Sequence, residues 1–441
     1  MLYSAARRFS HFVIPVVALL AVAAGGMLLS HGTVTATHPG TTVLVDGSDA
    51  TADGGGCGDI ANPCNDVQTG VTHAVGGDTV SVAAGTYTTG SQIVISKNLA
   101  IVGASAATTI IKPGYDTGSS GDARGWFLVN AGRTFDLSDV TLDGTGNKVY
   151  QAIRQRGDGT VSDVVLKEIK FEASGPAYSG VGIAAFGTGP VDVTNSTFSG
   201  MGRIGVLYFG TGPSGSDFSG NTYTGKGVGD WLDYALDVSA GIVMTIDSNT
   251  ISGNRGVASS DGSTSAGILV TTFYGAGTTA TITNNDLSDN TTGIAVGYDG
   301  SDTSAVTANL NNITGNGTGV DSTAPAVDAE CNWWGDAGGP GPVGPGTGDG
   351  VSANVDFDPW LQSAAPGFSG HVCAGPGAPA GPVGGIVELV THDGSAVPVN
   401  PGSNDSGGWT SLYALIGIVA AAFVGLVAGG GWFIRKQRHS A

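Results

Sequence analysis

Along most of the chain the apolar residues come in short alternating runs separated by Gly, Asn, Asp and Thr. Examples are Val191-Asp192-Val193, Met244-Thr245-Ile246 and Ala280-Thr281-Ile282. A period of two sends alternate side chains to opposite faces, so these runs predict short β-strands with one buried face. Sustained helical periodicity is missing from this region, although Val67, Val71 and Val75 share one face of a short predicted helix.

The runs recur at a longer interval. Apolar residues stand at Leu142, Phe171, Phe198, Tyr223, Ile251, Leu287 and Ile313, with gaps of 29, 27, 25, 28, 36 and 26. Asn precedes the last four by two residues, at Asn221, Asn249, Asn285 and Asn311, and follows the last three by three, at Asn254, Asn290 and Asn316. Gly256-Val257, Gly293-Ile294 and Gly319-Val320 complete the pattern. A unit of this size cannot bury its apolar face alone, so copies must stack. Stacking aligns each strand with its equivalent in the next coil, giving long parallel sheets and ladders of Asn and of apolar side chains. Asn and Gly are placed where the chain turns, because both tolerate left-handed backbone.

These coils resemble the right-handed parallel β-helix proteins of the pectate-lyase-like superfamily. The resemblance extends to the start, through Val43-Leu44-Val45-Asp46-Gly47, Gly77-Asp78-Thr79-Val80, Ala84-Gly85-Thr86-Tyr87 and Leu99-Ala100-Ile101-Val102-Gly103. It extends to the end through Cys331-Asn332-Trp333-Trp334-Gly335, Gly339-Pro340 and Asp358-Pro359-Trp360-Leu361, similar to closing segments of bacterial surface and periplasmic β-helices. It implies an all-β right-handed solenoid over residues 37–361, with the helix around Val71 capping its open end. It specifies chemistry weakly, since the superfamily spans lyases, hydrolases, epimerases, adhesins and scaffolds.

Two longer apolar runs set an expected topology. Arg7 and Arg8 precede an apolar run over 12–29, and small residues follow to Ala36, so 1–36 reads as a secretory signal. Residues 412–434 carry no charge and are flanked by Trp409, Tyr413, Trp432 and Phe433, which predicts a transmembrane helix. Arg435, Lys436 and Arg438 follow it, so 435–441 is the expected cytoplasmic tail and the preceding domain lies outside the membrane. A Gly/Pro-rich stretch over 362–411 reads as a stalk. Export agrees with four cysteines, for which the expected pairing is Cys57 with Cys64 and Cys331 with Cys373.

Charge narrows the function classes. All 36 acids lie between Asp46 and Asp405 against twelve Lys and Arg, and no cation stands between Arg255 and Arg435. Such a surface excludes nucleic acid as a partner, because the basic footprint that phosphates require is missing. Among 76 glycines the stretches Gly210–Gly215 and Gly220–Lys226 match nucleotide-loop patterns only by composition. Asn-x-Ser/Thr occurs at Asn195, Asn290, Asn312, Asn316 and Asn404, all possible acceptors of glycans in an exported chain.

The leading expectation is a membrane-tethered protein whose long faces bind a polysaccharide or surface glycan. The alternative is a lyase or epimerase acting on acidic glycans with calcium, and a further one is an envelope spacer. Uronate chemistry needs a base beside the carboxylate and a cation to stabilise the enolate. Arg154, Arg156, Lys167 and Arg203 are the candidate catalytic cations. Arg154 and Arg156 are expected on one face by strand alternation. Asp230, Asp233 and Asp237 are the candidate calcium ligands, and Trp231 and Tyr234 the candidate sugar-stacking rings. No other cofactor is implied.

Overall fold

The computed structural model describes residues 42–48, 56–172 and 178–364. The expected signal, stalk, transmembrane helix, cytoplasmic tail and Cys373 lie outside them. Among the described residues no helix is long and apolar enough to cross a membrane.

Strands of the described residues form three parallel sheets, of twelve, nine and nine strands, with the apolar core between them. Each coil visits the first sheet, then the third, then the second. One such circuit is Val191–Thr194, Thr197–Ser199 and Ile204–Phe209, after which Asp217–Ser219 returns to the first sheet. Every inward position repeats in register. In the third sheet Leu142, Leu166, Phe198, Tyr223, Ile251, Leu287 and Ile313 stack in one column. The spacing reading put Phe171 in that column, but Leu166 occupies the place and Phe171 packs outside on Tyr150, ring centroids 5.2 Å apart. Likewise Gly293-Ile294 and Gly319-Val320 stack with Gly267-Ile268, whereas Val257 is an exposed loop residue. Uneven loops between coils made the nearest apolar match in sequence differ from the match in space.

The turn joining the first and third sheets explains the asparagines. In successive coils Asn195, Gly220, Ser248, Asn284, Leu310 and Cys331 have φ between 49 and 66°. It is therefore the residue before each ladder position that takes the left-handed conformation, and the ladder Asn that follows points inward. Asn249 donates its amide nitrogen and its backbone N–H to Asn285 Oδ1, at 2.8 and 2.9 Å. Asn221, Asn285 and Asn311 repeat this toward Asn249, Asn311 and Asn332. A second ladder runs through Asn254, Asn290 and Asn316 to Asp349. Asn290 and Asn316 are buried in it, which removes two of the sequence's glycan acceptors from the surface.

Both ends of the stack are covered. Helix α1, Val67–His73, is capped by Asp66, which accepts from Thr69 N at 2.8 Å, and it buries Val67 and Val71. Val75 lies beyond the helix and is exposed, so it does not share the capping face. Gly70 is required there, because a Cβ would lie 2.5 Å from Val45 Cγ2. At the far end Trp334 is fully buried. The Cys57–Cys64 disulfide closes the opening loop, S–S 2.08 Å, and Cys331 is disulfide-bonded as well.

The ladder makes a specific demand on stability. Removing Asn285 strands the two donors of Asn249 and frees the carbonyls of Ile246 and Thr283, all in a dry interior. Each unsatisfied buried group costs about 1–3 kcal/mol. Asn285→Ala is expected to destabilise the fold by roughly 2–4 kcal/mol in a urea titration, and Asn284→Gly, at the left-handed position, by no more than about 0.5 kcal/mol. Equal effects would sink this account of the ladder.

Candidate functional site

The outer face of the second sheet carries a cleft of about 270 Å³ lined by Arg124, Tyr150, Gln151, Ser179, Val181, Arg203, Ile204, Leu207, Phe209, Asp237 and Tyr274. Its position follows from register. Two outward columns run along this face. One passes through Gln151, Val181, Ile204, Tyr234 and Ala266, the other through Leu128, Arg154, Ala184, Leu207, Asp237, Leu269, Ala295 and Asp321. Most members are apolar, so the face itself forms a small second core with Tyr178, Leu232 and Ala258. Charged side chains in these columns are exceptions on an apolar surface.

Asp237 is the clearest exception. It stands between Leu207 and Leu269 in adjacent strands, and its Oδ1 is buried with no hydrogen-bond partner. Burial raises its carboxyl to a pKa of about 6, against an opposing pull from the Arg203 charge and then from nearby Ser239. Arg203 immediately precedes the strand Ile204–Phe209, with its backbone fixed by bonds to Gly180 O at 2.9 Å and from Tyr234 N at 2.9 Å. Its guanidinium lies 5.4 Å over the Tyr178 ring, and its buried Nε has no partner. A cleft thus holds a carboxylate titrating near neutrality and an arginine with an unused donor. Unsatisfied buried atoms occur elsewhere in the described residues as well, and what sets this place apart is that a carboxyl with a raised pKa and a charge partner share a cleft.

Arg154 and Arg156 do share a face. Both reach Asp122, Arg154 Nε to Oδ1 at 3.1 Å and Arg156 NH1 to Oδ2 at 2.5 Å. Arg154 also bonds Gln151 at 3.0 Å and lies 4.4 Å over the Phe186 ring. Arg124, which lines the cleft, bonds Ser119 O at 2.9 Å and lies 4.7 Å over Tyr150. Lys167 is elsewhere: it belongs to the third sheet and pairs with Asp143 at 3.4 Å, opposite Lys112 at 3.3 Å. Burial pushes Asp143 up, but bonds from Thr145 and Lys112 and the Lys167 charge together hold its carboxyl below the ordinary range.

The aspartates expected to hold calcium do not converge. Asp230 accepts from Ser259 N and Oγ at 2.8 and 2.7 Å. Asp233 is buried and accepts from Tyr223 OH at 2.5 Å and Lys226 N at 2.7 Å. With their oxygens engaged on two different sets of donors, these residues and Asp237 do not fit a shared cation. Among the described residues no group of three or more His, Cys, Asp or Glu is placed to hold a metal. The expected stacking rings are also occupied. A Cβ on Gly229 or Gly256 would lie 2.1 or 2.3 Å from Trp231, so the ring is boxed between them, and Lys226 lies 5.2 Å over it. Tyr234 is buried, its hydroxyl donating to Thr264 O at 3.1 Å.

Lys226 instead supports the site. Its ammonium donates to Gly202 O, the residue before Arg203, and burial brings its pKa down to about 8. Arg124, Tyr150 and Tyr274 were not singled out in the sequence, since each lies in a loop or flank of uneven length. Asp237 was chosen there as a metal ligand. The signal for its other role was a single acid inside Tyr234-Ala235-Leu236-Asp237-Val238, where neighbouring coils carry leucine.

Residues 151–330 match the family model described as right handed beta helix region, so this stretch is such a region and the three sheets are its architecture. Among solved structures the chain is similar to the periplasmic alginate epimerase AlgG, at 12% identity and TM-score 0.38, over 58% of this chain and 56% of that one. It is similar to the PL6 family alginate lyase AlyGC, at 14% and 0.41, over 74% and 40%, and to pectate lyase Pel9A, at 15% and 0.42, over 76% and 82%. The chain thus spans little more than half of the epimerase and two fifths of the alginate lyase. Likeness at this level concerns fold alone. Compared by sequence with curated proteins, the chain matches none.

The raised carboxyl has a measurable consequence for folding. Unfolded, Asp237 loses its proton near the ordinary 3.8, and folded near about 6. Between these values the folded state binds more protons, so its stability falls as pH rises through the window. Asp237→Asn removes this term. The stability gap between Asp237→Asn and the parent, from urea midpoints, is expected to move in the variant's favour from about pH 4 to about pH 6 and then level off. A gap independent of pH would contradict the assignment.

Proposed function

We propose that the outer face of the second sheet binds an acidic polysaccharide and that Asp237, with Arg203 neutralising the carboxylate, abstracts a proton beside a uronate carboxylate, as a lyase or epimerase does. The observation that carries this is the coexistence, in one cleft, of a desolvated carboxyl and an arginine that both hold unsatisfied atoms. Arg203, with Arg124 across the cleft, neutralises the substrate carboxylate and so acidifies the adjoining C–H bond. Ionised Asp237 takes that proton. In elimination the electron pair forms the new double bond, the glycosidic C–O bond breaks, and the departing oxygen is protonated by solvent. In epimerisation a proton returns to the same carbon from the opposite side. Arg154 and Arg156, held together by Asp122, anchor further carboxylates along the face.

Recognition without turnover is the second reading, favoured by the neutralising pairing of Arg154 and Arg156 with Asp122. In either reading the protein works outside the cell, with the apolar segment 412–434 as its membrane anchor and the Gly/Pro-rich stretch as its stalk. The residues present give no support for calcium as a resident cofactor, and the proposal routes no step through it.

The test is incubation of the full chain with pectin, alginate and bacterial exopolysaccharides, following unsaturated products and proton exchange with deuterated solvent. Turnover is expected to climb with pH through about 6, as Asp237 ionises. Asp237→Asn and Arg203→Ala should each lower it by roughly 10²–10⁴-fold. Polymer binding that persists while no product or exchange forms would establish recognition as the function instead.

A further inference from the structure

We infer that the polymer held in the cleft is a mixed one, in which the acidic sugar is followed, toward the C-terminal coils, by uncharged sugars lying on an aromatic track. This rests on the acidic-polysaccharide reading above and specifies its substrate class.

The track consists of Phe209, Tyr274, Phe273 and Tyr298. Ring centroids are 5.3 Å apart for Phe209 and Tyr274, 4.7 Å for Tyr274 and Phe273, and 5.2 Å for Phe273 and Tyr298. The rings sit at or just beyond the ends of the strands Ile204–Phe209, Ala266–Thr271 and Thr292–Val296, along one margin of the second sheet. The coil between the first two carries Ala240-Gly241 at this margin instead of a ring. Gly275 packs against it, with an ideal Cβ 3.5 Å from Ala240 Cα, and Tyr274 bridges over to Phe209. The track therefore spans three coil steps, about 14 Å at the usual strand spacing.

Two observations and a general property of aromatic rings favour a binding surface for sugars over a patch of core. Tyr274 is 57% exposed, unusual for a ring in van der Waals contact with two others. It is continuous with the cleft, which Tyr274 and Phe209 both line. The apolar C–H face of a pyranose packs on such rings while its hydroxyls stay in water, as Tyr and Trp surfaces generally allow.

Charge decides which sugars fit. The cations of the cleft, Arg124, Arg154, Arg156 and Arg203, all precede the track. Residues 256–364 contain twelve Asp and Glu and not one Lys or Arg. The outward column beyond Asp237 continues through Leu269 and Ala295 to Asp321, and Asp299 is exposed beside Tyr298. Phe209 and Tyr274 still line the cleft beside Arg203, but a uronate over Phe273 and Tyr298 would face like charge with no counter-ion from the surrounding coils, whereas a neutral sugar meets rings and small apolar side chains. A homopolymer of uronates is thus accepted at the cleft and rejected along the track.

The test measures binding of the full chain to gellan, whose glucuronate is flanked by neutral sugars, and to alginate, built of uronates throughout. Gellan is expected to bind about tenfold more tightly at equal salt. Phe273→Ala and Tyr298→Ala should each weaken gellan binding by roughly three- to tenfold and leave alginate binding unchanged, while Tyr298→Phe, which keeps the ring, retains it. Should Phe273→Ala fold poorly, Tyr298→Ala at the far end of the track carries the test. Alginate binding as tightly as gellan through an Arg203-dependent site, with both alanine variants harmless, overturns the mixed-polymer inference and leaves the cleft reading intact. Failure of both polymers to bind, or binding that ignores Arg203→Ala, overturns the cleft reading and this inference together.

Discussion

Everything on the surface of this molecule depends on a hydrogen bond hidden inside it, the one by which each ladder asparagine presents its amide to the next coil. An Asn in that position gives its amide nitrogen to backbone carbonyls and to the Oδ1 of the Asn one coil on, and its own Oδ1 accepts from the coil before, so its bonding is complete without water only when the coils are aligned. The column from Asn221 to Asn332 therefore fixes the register of five coils against one another. In a sheet a slip of one residue would turn every inward side chain outward. With register fixed, the outward columns are fixed too, and Asp237 stands between Leu207 and Leu269 as a consequence rather than by a separate device.

That arrangement also explains how a rigid, repetitive scaffold acquires a chemically unusual group. On an ordinary solvated sheet face an aspartate between two strands would keep its usual acidity. Here the flanking residues are leucines, and Tyr178 and Leu232 enlarge the apolar surroundings. Close approach of the coils helps. In the glycine column of the same sheet a Cβ on Gly205 would lie 2.5 Å from Ala235 O, and on Gly182 2.5 Å from Gly205 O. Small residues inside bring strands together, and large residues outside desolvate what lies between them. The same strand thus supplies both the scaffold and the shift in acidity.

The repeat was legible in the sequence because its physics is local. Alternation of Met244-Thr245-Ile246 and the recurrence of Asn249, Asn285 and Asn311 need no knowledge of distant contacts. What failed was the assignment of single columns: Leu166 and Gly267-Ile268 replace Phe171 and Gly256-Val257 because insertions shift the nearest resemblance away from the true neighbour. The site was legible only in part for the same reason. The shared face of Arg154 and Arg156 was available from strand alternation, and Arg203 and Asp237 were among the candidates, Asp237 as a calcium ligand. The engagement of Asp233 by Tyr223 and Lys226, the boxing of Trp231 and the distance of Lys167 from the cleft depend on how loops fold back, which alternation does not encode.

The proposed binding of an acidic polymer by so acidic a protein needs a physical reason, and the range of the forces supplies it. The repulsion of a body carrying twelve cations against 36 acids is long-ranged and is screened by salt over about 8 Å at physiological ionic strength, and over about 3 Å at 1 M. Contacts between a carboxylate and the arginines of the cleft act at bonding distance and lie in apolar surroundings, where screening is weaker. Salt therefore removes the opposing term faster than the attractive one. A surface with its cations gathered in the early coils, and none in the later ones, gives a polymer one favourable register along the axis. On the proposed function, the same charge asymmetry that makes the chain acidic overall would also orient its ligand.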